Sequence, residues 1–197
     1  MDRVKFEQHA KPGCASKLRT GQGVPMNAPS TKLKEPSILL ASSNCQRLIR
    51  NVSHILDPAA VLLLQNEIQR NVVALFRLGE EHLQFAKAIP SKLWRQRISR
   101  FYYAALNVKR AVTLNHSGEF STDVSDHKNI GELPPGFPDI NTYSTRLVNL
   151  RDDRNIADYS HLSSEADLII KPADGELLVT KFIDHARNFL QGRGVVL

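Results

Sequence analysis

The amino-acid sequence predicts an all-α fold, a bundle of four or five helices that follows a flexible basic N-terminal arm. Apolar residues recur every three or four positions through several long stretches, which is the period of a helix with one buried face. Proline, glycine and capping residues stand at the ends of those stretches. No segment shows the sustained apolar–polar alternation of a half-buried strand.

The N-terminal part differs in composition from the rest of the chain. Residues 1–43 are rich in Gly, Pro, Ser, Thr and Lys. They are predicted to form a disordered or loosely docked arm, because such a composition buries too little apolar surface to order itself. Residues 1–54 hold nine Lys and Arg against three Asp and Glu, which accounts for the whole formal net charge of +6. The arm would attract nucleic acid non-specifically, or serve only as a solubilising leader.

The helical domain is predicted to span residues 44–197. In chain order its elements are helices over 45–56, 58–87, 92–115 and 139–158, a short helical piece from Ser163, and a last helix over 173–191. Long helices joined by short connections are typical of a bundle in which neighbouring helices pack side by side.

Local signals set the helix boundaries. Asp57 is followed by proline, which predicts an N-cap with proline in the first helical turn. Ser91 and Asp139 are predicted to cap two later helices, and Gly118 is predicted to stop the helix before it. Gly79, inside the long second helix, is expected to loosen the second half of that helix.

The helix predicted over 92–115 has an apolar stripe on one side and a mixed face on the other. The mixed face carries Arg95, Ser99, Tyr102, Tyr103 and Arg110. Basic residues interleaved with tyrosines could stack on bases or contact phosphates. The tyrosines could equally pack between helices with their hydroxyls hydrogen-bonded, and both alternatives stay open at this point.

Several functional classes lack support in the sequence. No apolar run approaches the ~18 residues of a membrane helix, and the first ten residues contain no apolar signal segment, so a cytoplasmic location without membrane attachment is expected. Cys14 and Cys45 do not make a disulfide framework. The seven histidines are scattered, and no GxxxxGK(S/T), GxSxG or HExxH motif occurs. No metal and no cofactor are predicted.

The stretch RNIADYSH, residues 154–161, carries the main candidate chemistry. If the helix persists through it, Arg154 and His161 point the same way, with Asp158 between them. An arginine fork binds phosphate, a histidine moves protons near neutral pH, and Asn155 stands beside the arginine. Together they could cleave RNA without a metal. In the alternative, Arg154 and Asp158 form an ordinary surface ion pair and His161 is merely polar at a helix end.

A second histidine lies in the predicted loop over 117–138. His127 stands between Asp126 and Lys128. It is expected to cap the following turn, or to act in catalysis with a partner that the sequence does not name.

Three stretches together resemble one protein family. They are SRFYYAALNVKRAV at 99–112, the pair Asp126-His127, and LRDDRNIADY at 150–159. In order, spacing and helical placement they are similar to the HEPN domain (higher eukaryote and prokaryote nucleotide-binding domain), in particular to a prokaryotic branch with Ser-Arg-x-Tyr-Tyr-Ala and Arg-x-x-Ala-Asp-Tyr helices. The resemblance covers about residues 58–190.

The resemblance implies a function and an assembly. HEPN proteins are helical bundles that usually dimerise, and many are metal-independent endoribonucleases of toxin–antitoxin or antiphage defence systems. It therefore implies RNA as substrate, a homodimer whose two Arg/His motifs form one composite cleft, and an antitoxin or nucleotidyltransferase as a further partner. The residues that it implies are Arg154 and His161 as catalytic, Asn155 and Asp158 as supporting, and Arg100, Tyr103 and Tyr159 as contacts to nucleic acid or nucleotide.

The same resemblance leaves a second function open. The protein could be a non-catalytic HEPN module that binds a nucleotide or a partner protein such as a nucleotidyltransferase. The position of His161 discriminates between the two. A helix that continues through Ser160 and points His161 along Arg154 favours the nuclease, whereas a break at Ser160 that turns His161 to solvent favours the binding module.

Overall fold

The computed structural model of the protein describes residues 42–197. The predicted arm, residues 1–43, therefore lies outside the described residues except for its last two positions. Within the described part the fold is all-helical, as predicted. Its α-helices are α1 Cys45–Val52, α2 Pro58–Ala88, α3 Trp94–Ser117, α4 Val124–Lys128, α5 Ile140–Tyr159 and α6 Pro172–Gln191, with a 3-10 turn over Glu165–Asp167 before α6.

Helix α3 forms the centre of the bundle and packs against α2, α5 and α6. Twelve of its residues are buried, including residues of both its predicted faces. The largest side chains that it buries are Ile98, Phe101, Tyr102, Leu106 and Leu114. Because a helix surrounded on several sides is apolar nearly all round, its sequence period is less sharp than that of a surface helix. This central position buries Tyr102 inside the bundle, whereas Tyr103 is partly buried and packs against the core.

Gly79 is a point of close approach between α2 and α3. A Cβ at this position would lie 2.5 Å from Val108 Cγ2 and 2.8 Å from the carbonyl oxygen of Ala104. Helix α2 continues through Gly79 to Ala88. Gly79 therefore does not interrupt α2. Its missing side chain lets α2 and α3 approach each other closely.

The predicted caps are confirmed at two positions. The side chain of Asp57 accepts a hydrogen bond of 2.8 Å from the backbone N–H of Ala60 and so satisfies one free donor of the first turn of α2. Gly118 ends α3 with φ at +75°, a left-handed conformation that glycine adopts without strain.

Two other caps differ from the prediction. Helix α3 begins at Trp94, and Leu93 occupies its cap position without a side-chain hydrogen bond, because residues 90–93 form a turn first. Ser91 therefore lies in that turn and caps nothing. Asp139 does precede α5, but its φ is +50° and its side chain makes no capping bond.

The predicted loop over 117–138 contains the short helix α4. Its anchor is Asp126, which is buried and accepts from Arg110 Nε at 2.6 Å, with Lys109 Nζ at 3.5 Å. Both cations belong to α3. The ion pairs hold α4 against the central helix and fix the position of His127, the residue that follows the anchor.

No helix among residues 42–197 is both long enough and apolar enough to pass through a membrane.

Candidate functional site

Arg154 lies on α5 with its guanidinium held against α3. Its Nη2 donates a hydrogen bond of 2.8 Å to the hydroxyl oxygen of Tyr103. Its Nε lies 2.7 Å from Asp158 Oδ2, although the N–H is not aligned for a hydrogen bond, so the contact is an ion pair. The guanidinium carbon lies 5.7, 5.4 and 5.2 Å from the ring centres of Tyr102, Tyr103 and Tyr159. The pair with Asp158 was predicted, and the three-tyrosine surround was not.

These contacts decide the charge of Arg154. Burial lowers the pKa of its guanidinium, but the neighbouring Tyr103 and Asp158 and the hydrogen bonds with Tyr103 and Tyr159 raise the pKa overall. The group is therefore a permanent cation with a fixed direction. A cation held in this way can bind phosphate with little loss of side-chain entropy.

His161 does not share the face of Arg154. Helix α5 ends at Tyr159, and Ser160 leaves the helical region with φ −95° and ψ 87°. His161 lies exposed in the turn that follows. The alternative in which Arg154 and His161 are aligned on one continuous helix is therefore wrong.

Arg95 gives the physical reason for this helix end. Its guanidinium donates to the backbone carbonyl oxygens of Ala157 at 2.9 Å, Ser160 at 2.9 Å and Ser163 at 2.6 Å. The last carbonyls of a helix lack partners within the helix. Because Arg95 satisfies them and also binds the following turn, it stabilises the break before His161.

The histidine that does approach Arg154 is His127. Its Nδ1 lies 2.5 Å from the hydroxyl oxygen of Tyr102, and the two rings stack with centres 5.8 Å apart. Burial raises the pKa of Tyr102 to about 12, so the phenol stays protonated. Burial also lowers the pKa of His127, and Arg110 and Arg154 lower it further against the opposing effect of Asp126. The imidazole is therefore neutral at pH 7.

One cavity of about 760 Å³ brings these groups together. It is lined by Tyr102, His127, Lys128, Arg151, Asp152, Arg154, Asn155 and Tyr159. Arg151 is already paired with Asp152 at 2.7 Å, whereas Lys128 has no ion pair within residues 42–197. Arg154 is also paired, with Asp158 at 2.7 Å, but through Nε, and each of its Nη atoms has a second N–H beyond its bond to Tyr103 or Asn155. The cavity thus offers the unpaired Lys128, the Nη groups of Arg154 and one neutral imidazole to an anionic ligand.

The predicted supporting residues lie mostly around this cavity. Asn155 Oδ1 accepts a hydrogen bond of 3.3 Å from Arg154 Nη1, and Tyr159 is exposed at its edge. Arg100 lies apart from it, 3.4 Å from His82 Nδ1 and over the ring of Phe85.

The sequence drew attention to Tyr102 and His127 separately but gave no reason to pair them. They are 25 positions apart, and the pairing depends on the unpredicted helix α4. Asp126 was a usable signal. A carboxylate that becomes buried needs a cationic partner, and the basic residues of the preceding helix could supply one, which would also bring the adjacent His127 to that helix.

Among the described residues, no three His, Cys, Asp or Glu side chains lie close enough together to hold a metal ion. The comparisons with known proteins add no assignment: no family model, no curated protein and no solved structure matches the chain.

Proposed function

We propose that the protein is a metal-independent endoribonuclease in which Arg154 binds the scissile phosphate and His127 transfers the proton. The observation that carries the proposal is that a fixed arginine and a neutral histidine line the same cavity, joined through Tyr102. The resemblance to HEPN domains supports it, since that family cleaves RNA with arginine and histidine. Relative to that resemblance, His127 takes the role first expected of His161.

Binding would begin at the cations. Arg154 lines the cavity with a guanidinium whose Nη2 and Nη1 already donate one hydrogen bond each, to Tyr103 and Asn155, and have one further N–H each for a phosphate. Lys128 adds a second charge that has no ion pair among residues 42–197. Charge-assisted hydrogen bonds to phosphate oxygens are about twice as strong as neutral ones. As the phosphorus becomes pentacoordinate, the extra negative charge falls on those same oxygens, so Arg154 would bind the transition state more tightly than the substrate.

The proton transfer would use the imidazole nitrogen that Tyr102 leaves free. Tyr102 holds Nδ1, so Nε2 is available to take the proton of the ribose 2′-hydroxyl when Nδ1 carries the ring proton. The 2′-oxygen then bonds to phosphorus, the bond to the 5′-oxygen breaks, and water protonates the leaving oxygen. The hydroxide left by that water takes the proton from the imidazolium of His127 and restores the neutral ring. The products are a 2′,3′-cyclic phosphate and a 5′-hydroxyl.

The proposal includes the homodimer and the biological role that the resemblance implies. Tyr159, which lines the cavity, and Leu162, three residues later in the chain, are both exposed, and exposed apolar groups of this size favour a protein contact. A second copy seated there would bring two cavities together. In a toxin or defence system, expression of the protein would arrest growth, and an antitoxin partner would relieve the arrest.

RNA cleavage in EDTA tests this function. We expect the wild-type protein to cut single-stranded RNA in the presence of the chelator and to leave cyclic phosphate ends. Arg154→Ala should lose the activity, whereas Arg146→Ala, which removes an arginine from the same helix eight positions earlier, should keep it. Cleavage by neither protein across a broad RNA panel, with folding verified by circular dichroism, would reject the nuclease.

A second candidate function is the non-catalytic module that binds a nucleotide or a partner protein. It is favoured by one observation, the exposed position of His161 beyond the end of α5. In that case Arg154 and Lys128 would hold a phosphate without cleaving it. Saturable binding of RNA or nucleotide that Arg154→Ala abolishes, without any cleavage in the wild type, would select this function.

A further inference from the structure

A second polar cavity, of about 590 Å³, lies on the other side of α4. Asp126 of α4 lines it, whereas the next residue, His127, lines the cavity of Arg154. The charged or aromatic side chains that matter here are Arg47, Lys109, Arg110, His116 and Phe120. They come from α1, from α3 and from the segment after α3, so three parts of the bundle enclose the space.

Positive charge exceeds negative charge in the buried wall of this cavity. Lys109 is only 6% exposed. Its Nζ has one ionic contact in the described structure, at 3.5 Å to Asp126, and that carboxylate already binds Arg110 at 2.6 Å. Two cations therefore share a single acid, and burying an uncompensated charge is costly.

The other polar residues of the wall are mainly hydrogen-bond donors. Arg47 has no ion pair among residues 42–197. The Nδ1 atom of His116 is buried without a hydrogen-bond partner in the same part of the chain. Two acids, Glu119 and Glu132, also line the cavity, but they are exposed, as is Arg47, so water screens all three charges. The buried excess therefore rests on Lys109 and Arg110 against Asp126. Phe120 lies under the guanidinium of Arg110 at 5.7 Å and gives the cavity an apolar floor.

We infer that this cavity binds a small phosphate-bearing molecule, with Lys109 and Arg47 as its donors. A phosphate would neutralise the excess positive charge of Lys109 and Arg110, which share the single carboxylate of Asp126. The volume is within the range of small-molecule sites, so an organic group attached to the phosphate fits against Phe120. The inference concerns a site separate from Arg154 and does not depend on cleavage of RNA.

Amide NMR of residues 42–197 in the full chain tests the inference. The probes are inorganic phosphate, ribose 5-phosphate and ribose. We expect ribose 5-phosphate to shift the amides of Thr113, Ser117 and Ser121 saturably, and ribose to shift none of them. Phosphate alone should bind the same residues, and a comparison of its affinity with that of ribose 5-phosphate shows whether the organic group contributes.

Lys109→Met is the decisive variant. It keeps the apolar stem and leaves Arg110 and Asp126 as a balanced pair, so the fold should persist. A hydrogen bond to a charged group is worth about 1.5–3 kcal/mol, so affinity should fall by about tenfold or more. Lys181→Met removes an exposed lysine of α6 and serves as the matched control, with unchanged affinity.

Three outcomes would overturn the inference. In the first, neither phosphate-bearing probe gives a saturable shift. In the second, Lys109→Met binds with the same affinity as the wild type. In the third, the shifts are confined to the cavity of Arg154. The last outcome, checked by its loss in Arg154→Ala, would place phosphate binding at the proposed nuclease site alone. Failure of the nuclease proposal would leave all of the expected shifts in place, so the two proposals are judged separately.

Discussion

Tyr102 and His127 share a hydrogen bond of 2.5 Å between the phenol oxygen and Nδ1. The phenol comes from the most buried helix of the bundle and the imidazole from a five-residue helix at its surface. A rigid, fully buried partner therefore sets the orientation of the half-exposed imidazole that we propose as the proton-transfer group. This is the arrangement expected where a ring must present one chosen nitrogen to a substrate.

We expect Tyr102→Phe to lower kcat for RNA cleavage by about 10- to 100-fold, with little change in KM. The ring remains in the core, but His127 loses the contact that fixes its orientation, and misplacement of a catalytic group costs on this order. Single-turnover and steady-state kinetics measure the effect. Tyr143→Phe is the matched control, because Tyr143 is also buried and contacts His185 Nδ1 at 3.1 Å. Equal losses in the two variants would contradict the specific role of Tyr102.

His127 should make stability depend on pH in a defined direction. Burial lowers the pKa of His127 in the folded protein, so below the unfolded value of about 6.5 the unfolded chain binds the proton more readily. The contribution of His127 to stability is therefore complete above pH 6.5 and is lost as the pH falls below it. Urea unfolding at pH 7 and pH 5 should show a smaller loss for His127→Gln than for the wild type. An equal loss would show that His127 stays as well solvated as in the unfolded chain.

Asp153 should be the most sensitive carboxylate of α5. It is fully buried and accepts from the backbone N–H groups of Ile169 at 2.8 Å and Ile170 at 2.7 Å. Asp153→Ala leaves both donors without partners, so the free energy of unfolding should fall by about 2–5 kcal/mol. The control is the neighbouring Asp152, whose pair with Arg151 is partly exposed. Asp152→Ala should cost less than about 1 kcal/mol, and similar costs for the two variants in urea unfolding would refute this account.

A methyl group at Gly79 should separate α2 from α3. The carbonyl oxygen of Ala104, 2.8 Å from the position of the new Cβ, belongs to a helix backbone and yields only if the helix moves. We expect Gly79→Ala to destabilise the protein by about 1–3 kcal/mol. Gly175→Ala is the matched control, because its nearest neighbour would be Phe101 Cδ2 at 3.4 Å. That variant should gain up to about 1 kcal/mol from helix propensity, and thermal unfolding compares the two.

The helical framework could be predicted because its signals are local. A proline after Asp57, a glycine at 118 and a long apolar period need no knowledge of the rest of the chain. The cap at Ser91 failed because a turn over residues 90–93 competes with it. Helix α4 was missed since five residues are too few to show a period.

The site could be predicted only in part, because its contacts join distant segments. Arg154 and Asp158 are one helical turn apart, so their pair follows from spacing alone. The end of α5 before His161 depends on Arg95, a residue more than 60 positions away whose guanidinium binds the final carbonyls. No local pattern contains that information, and the same holds for the approach of His127 to Tyr102.

The most direct test of the central claim compares His127→Gln with His161→Gln in single-turnover RNA cleavage in EDTA, with circular dichroism as the check on folding. If His127 is the proton-transfer group beside Arg154, His127→Gln should lower the cleavage rate by about 10²- to 10⁴-fold. His161→Gln should change it by less than about threefold, because its side chain lies in solvent outside the cavity. A large loss in His161→Gln together with full activity in His127→Gln would contradict the account and return the catalytic role to the turn after α5.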